Sequence, residues 1–348
     1  MLSQGRISII TAAEPTDNQP PPGFARRISM KITAPLRFRP LLKRAIWGGR
    51  RLGEVLRKPI GPESDYAESW EVVDHGSDQS VVFAGPWAGR TLGELTAAEG
   101  PALLGKHHPQ TRFPLLFKFL DCREKLSVQV HPDDARAALL DPPDLGKTEA
   151  WTILDAAPGS LVYAGLKRGF DRRALAGEVN RGTCDLALHR FEPAQGDCLF
   201  LPAGVVHAPG GGLLMAEIQQ ASDTTFRLFD WNRVDTAGRP RQLHIDQALD
   251  SINYDYGPAL PQTPNRTDDP QVERLVSCPQ FILERLTLTA PHTLPTDDRF
   301  RILAVTSGTA KIGDETFTLG ETCLVPAALT DVTITPQKQA TLLSAFLP

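Results

Sequence analysis

The sequence predicts a mainly β protein, built as two small barrels of the jelly-roll type with short helical insertions. Three observations carry that expectation. Thirty prolines and 28 glycines in 348 residues suit a turn-rich β chain better than a helical bundle. Short apolar runs rich in β-branched and aromatic residues alternate with Gly, Pro, Asn and Asp clusters from Leu36 onward. Finally, Gly196 stands six residues before Pro202, and the same spacing returns at Gly320 and Pro326, each around a strand-like run.

Composition excludes several classes of function. A formal net charge of −4 with intermixed signs gives no basic footprint for nucleic acid. No stretch approaches the roughly 20 apolar residues of a membrane span. The five cysteines (Cys122, Cys184, Cys198, Cys278, Cys323) are dispersed and include no Cys-x-x-Cys, so they read as thiols in a reducing, cytoplasmic setting. Residues 1–30, with Pro20, Pro21 and Pro22, cannot pack a core and read as a disordered extension or a misassigned start upstream of Met30. Residues 31–257 are expected to form a metal-binding catalytic half with helical insertions, and residues 258–348 a smaller, divergent β half.

In chain order, Thr91–Leu95 and Gly100–Leu104 read as short helices, the first with leucines three apart. Pro114–Leu120 and Leu126–Val130 are β-disposed, a short helix spans Asp134–Leu140, and strands follow at Ala150–Leu154 and Leu161–Ala164. Phe170–Asn180 is expected to be helical with Asp171 as its cap. Strands return at Leu186–Phe191, Cys198–Leu201 and Leu213–Gln219. His244–Ile252 gives one more helix before a Pro-rich linker at Pro258–Arg266, and the remainder from Leu275 is β-rich. In the repeated motif Asp331 takes the place of His207 and Ala328 that of Gly204, which predicts a second barrel without a metal centre.

The chemistry concentrates between Lys118 and Arg227. Side chains two apart on a strand share a face, so Gln129 and His131 project together if Val128 and Val130 face the other way. The stretch Gly196-Asp-Cys-Leu-Phe-Leu-Pro-Ala-Gly-Val-Val-His207 matches the second signature of the cupin barrel and sets His207 inside it. Glu149 enters an apolar strand beside Trp151, where a carboxylate needs a partner, either Lys147 two residues away or a cation. Gln129 is the weakest ligand of the four, because amide oxygens bind Zn²⁺ less often than imidazole or carboxylate does. Two imidazoles, a carboxylate and an amide around Zn²⁺ leave a site of net charge about +1, by summing formal charges. Other divalent metals suit the same donors. Lys118, between Phe117 and Phe119, also needs a partner, and Glu217 sits in an apolar strand. Arg227 suits a phosphate or a developing oxyanion, with an ion pair to Asp223 as the plainer alternative. Trp47 and Trp70 read as core, His107 and His108 as solvent-facing, and Gly210–Gly212 as a strand connection.

Six ordered blocks together resemble the type I mannose-6-phosphate isomerases, especially the short bacterial form. They are Ile46-Trp-Gly-Gly, Glu68-Ser-Trp-Glu, Leu126-Ser-Val-Gln-Val-His-Pro, Gly146-Lys-Thr-Glu-Ala-Trp, Leu201-Pro-Ala-Gly-Val-Val-His-Ala and Glu217-Ile-Gln-Gln-Ala-Ser-Asp-Thr-Thr-Phe-Arg. The resemblance implies a bicupin scaffold (two double-stranded β-helix barrels) and one Zn²⁺ per chain on Gln129, His131, Glu149 and His207. It also implies an essential Arg227 and a substrate pocket lined by Ser127 and Lys147, to which Lys118 adds positive charge. The implied reaction interconverts mannose 6-phosphate and fructose 6-phosphate through a cis-enediol. Glu217, a hydroxide held by the metal and Lys147 all stand as candidate bases. A non-catalytic sugar-phosphate-binding bicupin and a metal-dependent cupin oxygenase are the competing readings. The expected partner is a phosphorylated hexose, with no nucleic acid and no membrane, on a monomer or homodimer.

Overall fold

Alternation of apolar residues between two faces decides how the strands stack. In the computed structural model, which describes residues 31–234 and 238–348, three antiparallel sheets hold most of the strands. The expectations for residues 1–30 fall outside the described residues. A six-stranded sheet runs in the order Cys198–Leu201, Glu149–Ala156, Leu213–Gln220, Leu115–Cys122, Tyr66–Val72, Leu41–Gly49. A five-stranded sheet runs Leu188–Phe191, Val162–Leu166, His207–Pro209, Val128–Val130, Phe226–Phe229. Together they make a cupin-like barrel. The third sheet has eight strands and begins at Asn265–Arg266.

Each strand of the six-stranded sheet serves two cores. Leu213 and Met215 point into the barrel with Leu120, Cys122 and Ile153. Leu214, Ala216 and Ile218 point outward with Phe117 and Phe119, against Leu283, Ile302, Ala304, Leu343 and Ala345 of the third sheet. Val128 and Val130 indeed face away from Gln129. They pack under helices Arg172–Arg181 and Ile245–Ser251 through Leu175, Val179, Ala248 and Leu249. The third sheet closes its own core with Leu286, Leu303, Phe317 and Leu342. Each such side chain, fully buried, is worth roughly 1.5–3 kcal/mol of transfer free energy, so the outward-facing apolar row demands the third sheet as a cover. Residues 32–348 form one compact unit.

Local signals set the boundaries. Thr91 and Glu94 form a reciprocal capping box, and the two expected helices abut within Leu92–Leu104, parted by a kink at Glu99, whose backbone is not helical, just before Pro101. Asp171 accepts from the Ala174 N–H at 2.7 Å, and Gly182 ends that helix in the left-handed conformation. The helix expected at Asp134–Leu140 is a single turn, Asp134–Ala137. Residues Cys184–Ala187 form a 3-10 turn, so the strand expected from Leu186 starts at Leu188. The Pro-rich segment expected as a linker is not free: Pro258 bridges Gly165, Pro261 bridges Leu199, and Asn265–Arg266 pairs with Val272–Ser277. All five cysteines are free thiols, and four are buried. Among the described residues no helix is long and apolar enough to cross a membrane.

The repeated Gly-x5-Pro spacing has a backbone cause. Gly196 (φ +89°) and Gly320 (φ +85°) both turn the chain through the left-handed region ahead of equivalent strands, Cys198–Leu201 and Thr322–Val325. A Cβ on Gly320 would also stand 2.5 Å from the Leu56 carbonyl oxygen. Gly320→Ala should therefore destabilise by roughly 2–4 kcal/mol, adding left-handed strain to a backbone clash. Gly159→Ala, at φ +78° with nothing within 4 Å, should lose only the strain, about 1–2 kcal/mol. Denaturant titrations of the two variants check the difference.

Candidate active site

The site residues converge because two facing sheets present one register level to each other. In the five-stranded sheet Gln129 lies opposite His207 on one side and Arg227 on the other. In the six-stranded sheet Glu217 lies between Trp151 and Lys118, and Lys118 is opposite Trp70. Glu149 pairs with Gln219 at the end of the same strands, and His131 directly follows Val128–Val130.

His131, Glu149 and His207, each about 1% exposed, offer ligand atoms that lie within 4.8 Å of one another. His207 Nε2 is 3.2 Å from Glu149 Oε1, and His131 Nε2 is 3.4 Å from Oε2. The other ring nitrogens are spoken for: His131 Nδ1 lies 2.9 Å from the Thr224 carbonyl oxygen and His207 Nδ1 lies 2.8 Å from that of Val205. Carbonyls only accept, so both Nδ1 atoms carry the proton and both Nε2 lone pairs face Glu149. The Gln129 amide stands 3.3 Å from His207 Nε2, where its oxygen can join them. Both Glu149 oxygens are buried without a hydrogen bond of good geometry. Orphaned carboxylate oxygens beside two imidazole lone pairs fit a divalent cation. Among the described residues this is the one such cluster.

The alternative partner for Glu149 is present as well. Lys147 Nζ is 2.8 Å from Glu149 Oε2, 3.1 Å from His131 Nε2 and 3.6 Å from Glu217 Oε1. Lys118 Nζ reaches Glu217 Oε1 at 3.4 Å and Glu68 Oε2 at 3.0 Å. The barrel interior thus holds an alternating row, Glu68, Lys118, Glu217, Lys147, Glu149, that ends at the imidazoles. Burial first, then the Lys147 charge, pushes His131 down to about 3, and burial lowers His207 too. For Glu149 burial pushes upward, but the Lys147 charge beside it prevails and holds the carboxyl well below its ordinary value. Burial and then the Glu149 charge raise Glu217 to about 7. Burial would lower Lys118, but Glu217 and Glu68 prevail and raise it.

A cavity of about 330 Å³ opens onto this row, lined by Gln129, Lys147, Lys118, Glu217, Ser127 and Arg227 among others. Arg227 Nε donates to Ser127 Oγ at 3.2 Å and Nη1 to the Gln242 carbonyl at 2.8 Å. These partners replace the alternative pair with Asp223, which lines the cavity separately. Trp47 and Trp70 are both buried, as expected of core, yet Trp47 also walls the cavity and Trp70 Nε1 donates to Glu68 Oε2 at 2.7 Å. His108 is exposed, whereas His107 is half-buried beside Phe300. Glu68, Thr225 and Arg241 are cavity residues that the sequence did not single out. For Glu68 a signal existed, since a glutamate two residues from Trp70 shares its face. A larger groove of about 460 Å³, lined by Arg37, Lys58, Glu71 and Glu321, holds none of the residues above.

A jelly-roll barrel with a His–Glu–His cluster inside defines a metal-binding enzyme scaffold of the cupin class. Comparison with known proteins narrows it. Residues 36–148 match the family model for the type I phosphomannose isomerase catalytic domain. The chain is 33% identical over 291 residues to mannose-6-phosphate isomerase ManA of Bacillus subtilis, spanning 80% of this chain and 88% of that protein. It is 34% identical over 286 residues to a mannose-6-phosphate isomerase of Streptococcus mutans, spanning 81% and 87%. The crystal structure of the Bacillus subtilis mannose 6-phosphate isomerase superposes with a TM-score of 0.81 at 30% identity, covering 90% of this chain and 99% of that one. This chain belongs to the type I phosphomannose isomerase family.

Two outcomes follow for the cluster. His131→Ala and His207→Ala should each lose stoichiometric metal, measured by elemental analysis of the purified protein, whereas Cys198→Ser on the same barrel should keep it. Because burial lowers both imidazoles, metal affinity in Glu217→Gln, which lacks the carboxyl raised to about 7, should fall less between pH 8 and pH 6 than that of a pair of exposed histidines. A tenfold weakening across that range would show that the imidazoles titrate there.

Proposed function

We propose that this chain interconverts mannose 6-phosphate and fructose 6-phosphate through a cis-enediol, using one Zn²⁺ held by Gln129, His131, Glu149 and His207. The observation that carries the reading is a buried carboxyl, Glu217, set 3.4 Å from Lys118 Nζ and 3.6 Å from Lys147 Nζ at the wall of a cavity that also reaches Gln129 of the ligand set; burial and the Glu149 charge raise it to about 7. A divalent cation bound there supplies Lewis acidity, polarising a substrate carbonyl and stabilising negative charge on oxygen.

The chain's own groups supply the rest. Glu217 takes the proton from C2 of the aldose and returns it to C1, while the hydroxyl proton of O2 passes to O1 as the cis-enediol forms and collapses; this carboxyl is the group most nearly matched to neutral pH for carrying a proton both ways. Lys147 is engaged by Glu149 Oε2 at 2.8 Å, so it offers positive charge and a donor rather than a free lone pair. Lys118 balances Glu217 whenever that carboxyl is ionised. Arg227, set by Ser127 and on the strand next to Gln129, presents its guanidinium to an anionic oxygen of the substrate. Trp47 and Trp151 wall the cavity and limit its water. A non-catalytic sugar-phosphate binder or an oxygenase gains nothing from a proton carrier poised in this way.

The same reading assigns catalysis to residues 31–257 and treats 258–348 as the structural partner half. It places the enzyme in the cytoplasm as a monomer or homodimer.

A coupled assay on mannose 6-phosphate tests the proposal. Chelation should abolish conversion and added Zn²⁺ should restore it, and metal-replete protein that leaves the sugar unchanged would end this assignment. Glu217→Gln should lower kcat by roughly 10²- to 10⁴-fold with a much smaller effect on KM. In the parent enzyme kcat should rise with pH through about 7, because the ionised carboxylate is the base, and that rise should vanish in Glu217→Gln.

A further inference from the structure

Close to the ligand cluster, one carboxylate gathers four segments of the chain. Asp144 Oδ2 accepts from Ser222 Oγ and Thr224 Oγ1, each at 2.8 Å. Its Oδ1 accepts from the Leu145 N–H at 2.8 Å and from Arg112 Nη2 at 3.2 Å. His75 Nε2 lies across both oxygens, at 3.2 and 3.3 Å. The side chain is 10% exposed, and nothing in the reaction uses it.

Thr224 is the link to the metal cluster. Its hydroxyl is held by Asp144, while its carbonyl accepts from His131 Nδ1 at 2.9 Å. The Ser222 hydroxyl, bound to the same Asp144 oxygen, also accepts from the Thr224 N–H at 3.3 Å. Hydroxyl and amide of Thr224 are therefore both tied to Asp144, directly or through one atom, and the carbonyl has little freedom left. The two imidazoles differ in this respect. His207 is oriented by the carbonyl of Val205, two residues away in its own turn. His131 is oriented by a carbonyl 93 residues away in the chain, which only tertiary structure holds in place.

We propose that Asp144 is a positioning residue for His131, setting through Ser222 and Thr224 the direction of the imidazole lone pair and so the affinity of the metal site. This inference rests on the reading of His131 as a ligand. An acceptor that fixes a ligand's second ring nitrogen sets both its tautomer and its aim. Asp144 acts one bond network further out. It does so with a full charge, which strengthens the hydroxyl bonds it accepts. Asn at this position presents an amide N–H₂ toward donors on one side, so it cannot satisfy Ser222, Thr224, Arg112 and His75 together.

The test measures Zn²⁺ affinity by competition with a chromophoric chelator, the visible absorption of the Co²⁺-loaded protein, and the melting temperature. Asp144→Asn and Thr224→Val should weaken Zn²⁺ binding by roughly 10- to 100-fold and shift the Co²⁺ bands. Thr224→Ser, which keeps the hydroxyl, should retain the parent affinity and spectrum. Thr224→Val keeps the shape of the side chain, so it gives a folded reading even if Asp144→Asn does not. Parent affinity and spectrum in Thr224→Val, with only a lower melting temperature, would overturn the inference and leave Asp144 a structural clamp. His131→Ala separates the two claims. If it loses Zn²⁺ while Thr224→Val binds normally, only the role of Asp144 fails; if it keeps parent affinity, the ligand assignment fails and takes this inference with it.

Discussion

A carboxylate that is 1% exposed, facing two uncharged imidazoles, can remain ionised only if positive charge stands within a few ångströms. That requirement on Glu149 organises the interior of the first barrel. Lys147 meets part of it, and the arrangement of lone pairs meets the rest by inviting a cation. Each compensating charge then raises the same demand for itself. Lys147 leans on Glu217, Glu217 on Lys118, and Lys118 on Glu68, until the row ends at the edge of the cavity, where the Glu68 side chain is 20% exposed. Removing one member leaves a neighbour uncompensated, so substitutions along the row should not act independently.

The barrel walls make the row possible. Antiparallel pairing at fixed register brings Trp151, Glu217, Lys118 and Trp70 side by side on one face, while Phe117, Phe119 and Ile218 on the other face carry the burial that holds the strands. Function and stability are thus divided between alternate residues of the same strands. A one-residue slip would exchange them, exposing the charges to the apolar cover and the phenylalanines to the cavity. The length of apolar contact against the third sheet opposes such a slip.

Much of this was legible in the residues. His207 lies in a spacing whose glycines and proline dictate a turn, and Gln129 with His131 follow strand periodicity, so the ligand cluster was accessible from local pattern. The partners of Lys118 were implied by its phenylalanine neighbours, though not identified. Other features were hidden because they depend on tertiary proximity alone. Asp144 sits in a Pro-containing loop and reads as surface, yet it binds His75, Arg112, Ser222 and Thr224. Glu68 was masked by its place in an aromatic strand, and the Pro258–Arg266 segment looked like a spacer because isolated bridges leave no periodic trace.

The strand Thr333–Phe346 gives Leu342 to the interior of the third sheet and Leu343 to the layer shared with the first barrel. The back of the first barrel is therefore not fully covered until a segment more than a hundred residues beyond its last strand has found its register. Such distant closure makes folding slow and exposes apolar strands meanwhile. It also ties the two halves into one cooperative transition. Truncating the strand to isolate the first barrel would yield an aggregating fragment, because the third sheet covers the apolar row that keeps that barrel in solution.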